Sequence, residues 1–317
     1  MFDVGMKRIS LILLFLTAGQ FVCAQRTSVA FWNLENFYDT IPSLFHDDSE
    51  YTPSGSRKWG TERYTMKVRN IARVIDDMAA DIVGLAEVES ETAVRDLVMA
   101  LGTDYNYIHR NSGDSRGMDV ALLYKGDKFF PGEVRLVQSG IWREFLHISG
   151  ELSGEKVDVI VCHMASNMNA YTSRLQCMTA LRRYLEKLLE DDPAAKVIVM
   201  GDMNAAPGEK VVRKTLGSVK SAYDFMYCPQ WEEYKAGKGT YSYRERWYMY
   251  DWMLVSPALA RGSGMKAVEA GIFVREYMTE PAGTAPSSPR KPLRTFYAGE
   301  YLGGFSDHLP IYMYIGR

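Results

Sequence analysis

Apolar residues along the chain follow two rhythms. Over Arg63–Met78 they fall at helical spacing (Tyr64, Val68, Ile71, Val74, Ile75, Met78), and over Tyr171–Leu189 they do so again (Leu175, Met178, Leu181, Leu185, Leu188). A shorter helix is predicted over Ala93–Leu101. Elsewhere, short runs rich in β-branched and aromatic residues predict strands at Ser28–Leu34, Asp81–Val88, Tyr105–His109 and Met118–Tyr124. A pair follows within Glu133–Leu152, then Lys156–His163, Lys196–Met203, Tyr250–Ser256 and His308–Tyr314. Strands in runs, with helices separating only some of them, predict an α+β fold of two sheets packed face to face with helices outside. Ala282–Arg294, rich in Pro and Ser, is expected to be a loop at the rim of a site. No internal repeat or composition shift divides the chain, so residues 25–317 are expected to form one domain.

Composition narrows this picture. The 317 residues are 47% hydrophobic and 24% charged, too apolar for a disordered chain. The first 24 residues stand apart: Lys7 and Arg8 precede an apolar run, Ile9–Ala18, and then "QFVCAQ". Basic head, apolar middle and small residues at Val22 and Ala24 predict an export signal cleaved after Ala24. Gln20, Phe21 and Val22 are not the small apolar residues expected before a lipidated cysteine, so Cys23 is not read as one. The apolar run is too short for a membrane span, and nothing else could cross a bilayer. A periplasmic or secreted protein is expected, and a monomer. The net charge of −2 for the whole chain counts mildly against a protein that coats nucleic acid, though not against an enzyme with a locally basic cleft. Cys162, Cys177 and Cys228 show no regular spacing and are expected to be buried apolar residues with at most one bridge.

The chemistry lies at the strand ends. "VAFWNLEN" delivers Asn33, "DIVGLAEVE" Glu87 and "VDVIVCHMASN" His163. "KVIVMGDMNAAPGE" delivers Asp202 and Asn204, "WYMYDWMLVS" Asp251, and "GGFSDHLP" Asp307 and His308. Read singly, each has a plainer account: Asn33 as a turn residue, Glu87 as an acid leading into the next helix, Asp202 to Asn204 as a turn, Asp307 and His308 as a surface turn pair. That account does not explain why six apolar strands all carry such residues, since buried carboxylates are costly unless paired or bound to a cation. Oxygen donors with imidazole and no thiolate suit a hard cation, Mg²⁺ or alternatively Mn²⁺ or Ca²⁺. Such a cation suits phosphoryl chemistry, in which a carboxylate-paired histidine can take a proton from water.

In this order and at these separations, "WNLEN", "GLAEVE", "GDMNAAP", "YDWMLVS" and "SDHLP" resemble the endonuclease/exonuclease/phosphatase superfamily, from Ser28 to Ile315. The resemblance implies a four-layer α/β/β/α sandwich of mainly antiparallel sheets. It also implies that Asn33 and Glu87 hold the metal with Asp307 close by, and that Asp202 and Asn204 orient the attacking water and contact the phosphate. His308, paired with Asp251, would be the general base or a phosphate ligand. His163 resembles the second histidine of the deoxyribonuclease and sphingomyelinase branches, stabilising the phosphate or aiding protonation of the leaving group. The roles of Arg116 and Asp119 in "SRGMDVALLY" are left open, and Glu35 stays outside the core set. Cys162-His163 stands where abasic-site repair enzymes carry Tyr and Asn, which with the export signal points away from repair. Tyr241, Tyr243 and Trp247 are expected either to line the cleft or to pack on the sheet. The expected activity is hydrolysis of a phosphodiester, nuclease-like. The alternatives are a phosphatase or sphingomyelinase-like enzyme on lipid or inositol phosphates and, further off, a non-catalytic binding module. A hydrophobic loop near the site would favour lipid, and no long one is evident.

Overall fold

The first strand, β1 (Thr27–Phe37), shows why the strands read as unbroken apolar runs. Val29 and Phe31 face one layer, Ala30, Trp32 and Leu34 face another, and all five are buried. The computed structural model describes residues 26–281 and 290–317; the expected export signal lies outside the described residues.

After β1 come α1 (Thr61–Met78), β2 (Ile82–Val88), α2 (Glu91–Ala100), β3 (Asn106–His109) and β4 (Asp119–Tyr124). A meander of β5 (Phe129–Val137), β6 (Phe145–Leu152) and β7 (Glu155–His163) follows, then α3 (Tyr171–Asp191) and β8 (Val197–Asp202). Two short helices, α4 (Lys210–Thr215) and α5 (Trp231–Lys235), precede the β9 (Tyr241–Tyr243) and β10 (Arg246–Tyr248) hairpin. β11 (Asp251–Val255), α6 (Pro257–Arg261) and β12 (Lys266–Ile272) come next. Two small pairs, β13 (Thr279–Pro281) with β14 (Arg290–Pro292) and β15 (Phe296–Tyr297) with β16 (Glu300–Tyr301), lead to β17 (Ile311–Gly316).

The first large sheet runs β12-β17-β1-β2-β4-β3 and the second β11-β8-β7-β6-β5. Within them β1/β2 and β7/β8 pair parallel; the other pairs are antiparallel. Between the sheets, Phe31, Ile82 and Leu122 meet Ile148, Val161, Ile198 and Met200. Outside the first sheet, Trp32, Val83 and Leu85 pack on Ile71, Val74 and Ile75 of α1 and on Val94 and Leu97 of α2. Outside the second, Ile160, Val197 and Val199 pack on Met178, Leu181 and Leu185 of α3 and on Val211 of α4. This is the four-layer α/β/β/α sandwich. Each fully buried Leu, Ile or Phe contributes about 1.5–3 kcal/mol by leaving water, so both faces of the strands hold the layers together. The two sheets approach closely at Gly84, where a Cβ would lie 2.5 Å from the Met200 sulfur of the facing sheet. Cys162, Cys177 and Cys228 are buried and unbridged.

Four expectations need correction. β1 continues to Phe37 rather than stopping at Leu34, through a register shift at which Glu35 and Asn36 adopt positive φ. β17 starts at Ile311, not at His308: Pro310 lacks an N–H, and the Leu309 amide is spent on Thr240 O. Edge strand β12 is absent from the expectation because its faces are largely exposed and Lys266 and Glu269 break its apolar rhythm. Within Ala282–Arg294, residues 290–292 are strand rather than loop, paired with Thr279–Pro281, and 282–289 lie outside the described residues.

Candidate active site

The two sheets bring their polar ends to one edge. In the second sheet, His163 of β7 pairs with Asp202 of β8, and Asp202 pairs with Asp251 of β11, so three strands set three polar side chains side by side. The first sheet supplies Asn33 on β1 and Glu87 on β2. Asp307 and His308 come from the turn before β17. Ser306 fixes that turn: its hydroxyl donates to Asn33 O at 2.6 Å and accepts from the His308 amide at 3.1 Å.

The residues singled out in the sequence converge. The Asn33 amide nitrogen donates to Glu87 Oε1 (3.2 Å) and to Asp202 Oδ2 (3.1 Å), which ties the two sheets together. Its oxygen accepts the Glu35 amide at 3.0 Å. His308 Nδ1 lies 2.6 Å from Asp251 Oδ2, and its Nε2 lies 3.9 Å from both Asp202 Oδ2 and Asp307 Oδ1. From the opposite side, His163 Nε2 stands 3.7 Å from Asp202 Oδ2 and 3.8 Å from Glu87 Oε1. Asn204 accompanies Asp202: its amide donates to Oδ1 at 2.8 Å and its side chain donates to Met164 O at 3.1 Å. Glu87 and Asn204 sit at positive φ, a region rare for residues with a side chain and concentrated at functional sites.

Electrostatics follow from crowding. Burial and then Asp251 push Asp202 up to about 7. Burial and the charge of Asp307 push Glu35 up to about 7, and Asp307 is itself raised, chiefly by burial. Burial pulls against a charged His308, yet Asp251, Asp307 and Asp202 together hold it well above its ordinary value. His163 goes the other way, driven down by burial and by Arg143. Carboxylates raised in this way would be relieved by a cation, and Asp251 Oδ1 is buried without a hydrogen-bond partner among the described residues. Asp202, Asp251 and His308 offer donor atoms within 4.8 Å of one another. Within that cluster His308 Nδ1 and Asp251 Oδ2 are spent on each other at 2.6 Å.

Several participants carry no sequence signal. Arg143, in the linker between β5 and β6, is buried and sits 3.0 Å from His163 Nδ1. Lys67, one residue before an apolar position of α1, is buried and donates to Thr295 Oγ1 and to Phe305 O at 2.7 Å. Burial lowers it to about 8, against the pull of Glu35 and Asp307. The Glu35 carboxylate accepts from the amides of Thr295 (2.6 Å) and Phe296 (3.0 Å) and so clasps the rim. Asp119 lies outside the cluster and anchors Ser112. Arg116 is exposed at the rim, and its carbonyl accepts the Tyr38 hydroxyl. Tyr241 stacks on Tyr250 and lies 5.0 Å from the His308 ring, centre to centre. Trp247 packs on the outer core, and Tyr243 is half-exposed.

A two-sheet sandwich whose edge gathers carboxylates, amides and two histidines is an arrangement suited to phosphoester hydrolysis. The sequence model of the Endonuclease/Exonuclease/phosphatase family matches residues 28–317. The chain belongs to that family. Its solved neighbours share the fold at low identity. D. rerio TDP2, humanized by 14 mutations, has a TM-score of 0.62 and 15% identity, covering 92% of this chain and 99% of that one. The Bacteroides thetaiotaomicron mannosyl-6-phosphatase Bt3783 gives 0.60 and 16%, with 92% and 100% covered. An endonuclease/exonuclease/phosphatase from Bacteroides vulgatus gives 0.59 and 16%, with 92% and 98% covered. No curated protein matches the chain by sequence. Among the described residues, no helix is long and apolar enough to cross a membrane.

Proposed function

We propose that the protein is a divalent-metal-dependent phosphodiesterase, nuclease-like, that cleaves its substrate by direct attack of water. The observation that carries this reading is the buried His308–Asp251 pair, 2.6 Å apart, with Nε2 directed at the carboxylates of Asp202 and Asp307. Asp251 accepts the Nδ1 proton and fixes the tautomer; in the neutral ring, reached when the charge of Asp202 and Asp307 is offset, Nε2 can take a proton from water. Glu87 and Asp307, with Asn33 beside them, would hold the cation; it would neutralise charge on the phosphate oxygens. Asp202 and Asn204 orient the water, and His163 faces the phosphate from the other wall. Mg²⁺ is the expected ion, with Mn²⁺ or Ca²⁺ as alternatives. Beside Asp307 a cavity of about 400 Å³ is lined by Arg57, Arg294, Tyr51, Phe296 and Tyr297. Two guanidinium groups next to the site suit a substrate that continues as an anion, as a nucleic-acid strand does.

The test is turnover. Purified protein with Mg²⁺ should cleave bis-p-nitrophenyl phosphate and plasmid DNA and should stop when a chelator is added. No turnover on any phosphoester with several divalent metals overturns the enzyme reading.

One observation favours a second reading. The loop after β1 exposes Ile41 at 62%, Leu44 at 92% and Phe45 at 90%, a short apolar loop. It borders Ser112, Asp114 and Asp119, the segment that reaches towards His163. Such a loop could dip into a lipid surface and deliver a lipid phosphate to the same residues. If so, the protein sediments with phosphatidylcholine vesicles, the L44S/F45S double variant does not, and lipid phosphoesters outcompete DNA.

A further inference from the structure

The two histidines of the site are backed by groups of opposite chemistry. Behind His308 stands a carboxylate, which only accepts. Behind His163 stands a guanidinium, which only donates. Arg143 Nη1 lies 3.0 Å from His163 Nδ1 and also donates to Met118 O at 3.1 Å. Its Nε lies 3.4 Å from Asp114 Oδ2, and both side chains are buried. Asp114 in turn accepts the Arg116 amide at 2.8 Å, so the guanidinium is seated on a fixed loop rather than free to swing away.

We infer that Arg143 is a positioning residue that locks His163 as a neutral imidazole with its proton on Nε2, making His163 a hydrogen-bond donor to the substrate phosphate and not the acid that protonates the leaving group. The inference rests on the phosphoesterase reading for its last clause only. Because a guanidinium has no lone pair to offer, the Nδ1 of His163 must accept, and its proton must reside on Nε2. A second proton has no place, since the Nδ1 lone pair already faces an Arg143 N–H. Nε2–H points into the gap bounded by Glu87 Oε1 (3.8 Å) and Asp202 Oδ2 (3.7 Å). Those separations are longer than a hydrogen bond, so the N–H is unspent and can meet an oxygen placed between the two carboxylates. Where the proton is held by an arginine–histidine contact, the donor is preorganised and does not depend on solvent. A leaving group must then draw its proton from water or from His308.

Two experiments decide this, one independent of activity. In ¹⁵N-histidine-labelled protein, long-range correlation spectra at neutral pH should show His163 bare at Nδ1 and protonated at Nε2, and His308 protonated at Nδ1. A proton on His163 Nδ1 overturns the inference. In Arg143→Lys, whose ammonium also donates, the His163 pattern should persist; in Arg143→Met it should relax, with kcat down about 10–100-fold while the lysine variant keeps most activity. Equal losses in both Arg143 variants, with His163 unchanged in both spectra, also overturn it. The second experiment compares leaving groups. His163→Gln should slow a p-nitrophenyl ester and an alkyl ester of the same phosphate by the same factor, about 10²-fold or more. A loss confined to the alkyl ester identifies His163 as the acid and refutes the proposal. Failure of every phosphoester to react would overturn the functional reading instead, leaving the labelling experiment to decide the tautomer.

Discussion

His308 Nδ1 and Asp251 Oδ2 stand 2.6 Å apart, 57 residues distant in sequence, on a turn beside one sheet and at the head of a strand in the other. The pair forms because Leu309 N bonds to Thr240 O while Thr240 Oγ1 receives the Asp251 amide at 3.2 Å, so one residue registers both. Replacing Asp251 by Asn should keep the shape and lose the acceptor charge. The expected result is a drop in kcat of about 10²–10⁴-fold with an unchanged circular-dichroism spectrum, and at least about 10²-fold for His308→Ala. Near-wild-type rates in either variant remove the pair from the mechanism.

The raised carboxylates give the metal-free protein a pH signature. Asp202 and Glu35 are each pushed to about 7 by burial, Asp202 next by Asp251 and Glu35 next by Asp307. Between about pH 4 and pH 7 the folded chain therefore keeps protons that the unfolded chain has released. In the presence of chelator these two groups make stability fall as pH rises through that window, while His163, held neutral in the fold but free to take a proton when unfolded, pulls the other way below about 6.5. Thermal melts at steps from pH 4.5 to 7.5 isolate the two carboxyls by difference: in Asp202→Asn or Glu35→Gln, Tm should rise more, or fall less, with pH than in the parent. A pH slope unchanged in both variants contradicts the assignment.

What could be read in the sequence, and what could not, follows one physical division. Strands buried on both faces leave unbroken apolar runs, so a polar residue such as Asp202 or His163 stands out at the end of one, and the sites on β7 and β8 were legible. β12 was not, because an edge strand with exposed Lys266 and Glu269 loses that contrast. Arg143 and Lys67 were invisible for a different reason. Each is a charged residue in an ordinary surface-like context, and only the tertiary fold shows that the residue is buried. The motif likewise gave Asn33 a place but not an orientation. Its nitrogen faces the carboxylates and its oxygen faces the Glu35 amide.

Export remains a matter for the chain's own N-terminus. If residues 1–24 are an export signal, expression of the 317-residue sequence in a bacterial host should yield a mature protein beginning at Gln25, read by N-terminal sequencing. A product that keeps Lys7 and Arg8 contradicts cleavage after Ala24.

Gly201 links the fold to the site. It precedes Asp202 on β8, and a Cβ there would lie 2.2 Å from the Cys162 carbonyl oxygen, a backbone atom that cannot swing aside. Gly201→Ala should therefore part β7 from β8 at their active ends, at a cost of about 1–3 kcal/mol. Activity should fall by more than the lost stability explains, because His163 and Asp202 pair one residue further along. Equal activity per folded molecule would show that the strand ends absorb the change.

Glu35 separates holding the rim from holding a cation. It sits at positive φ with its carboxylate gripped by the Thr295 and Phe296 amides, beneath a rim that includes Arg294 and Phe296. Both oxygens are turned to backbone amides rather than to the gap between Glu87 and Asp202. Glu35→Ala should then release the rim: amide exchange at Thr295 and Phe296 should rise, and KM for a polyanionic substrate should increase. Affinity for Mg²⁺, followed by the metal dependence of bis-p-nitrophenyl phosphate cleavage, should change little. If the metal requirement shifts tenfold or more while exchange at Thr295 and Phe296 stays put, Glu35 belongs with Glu87 and Asp307 instead.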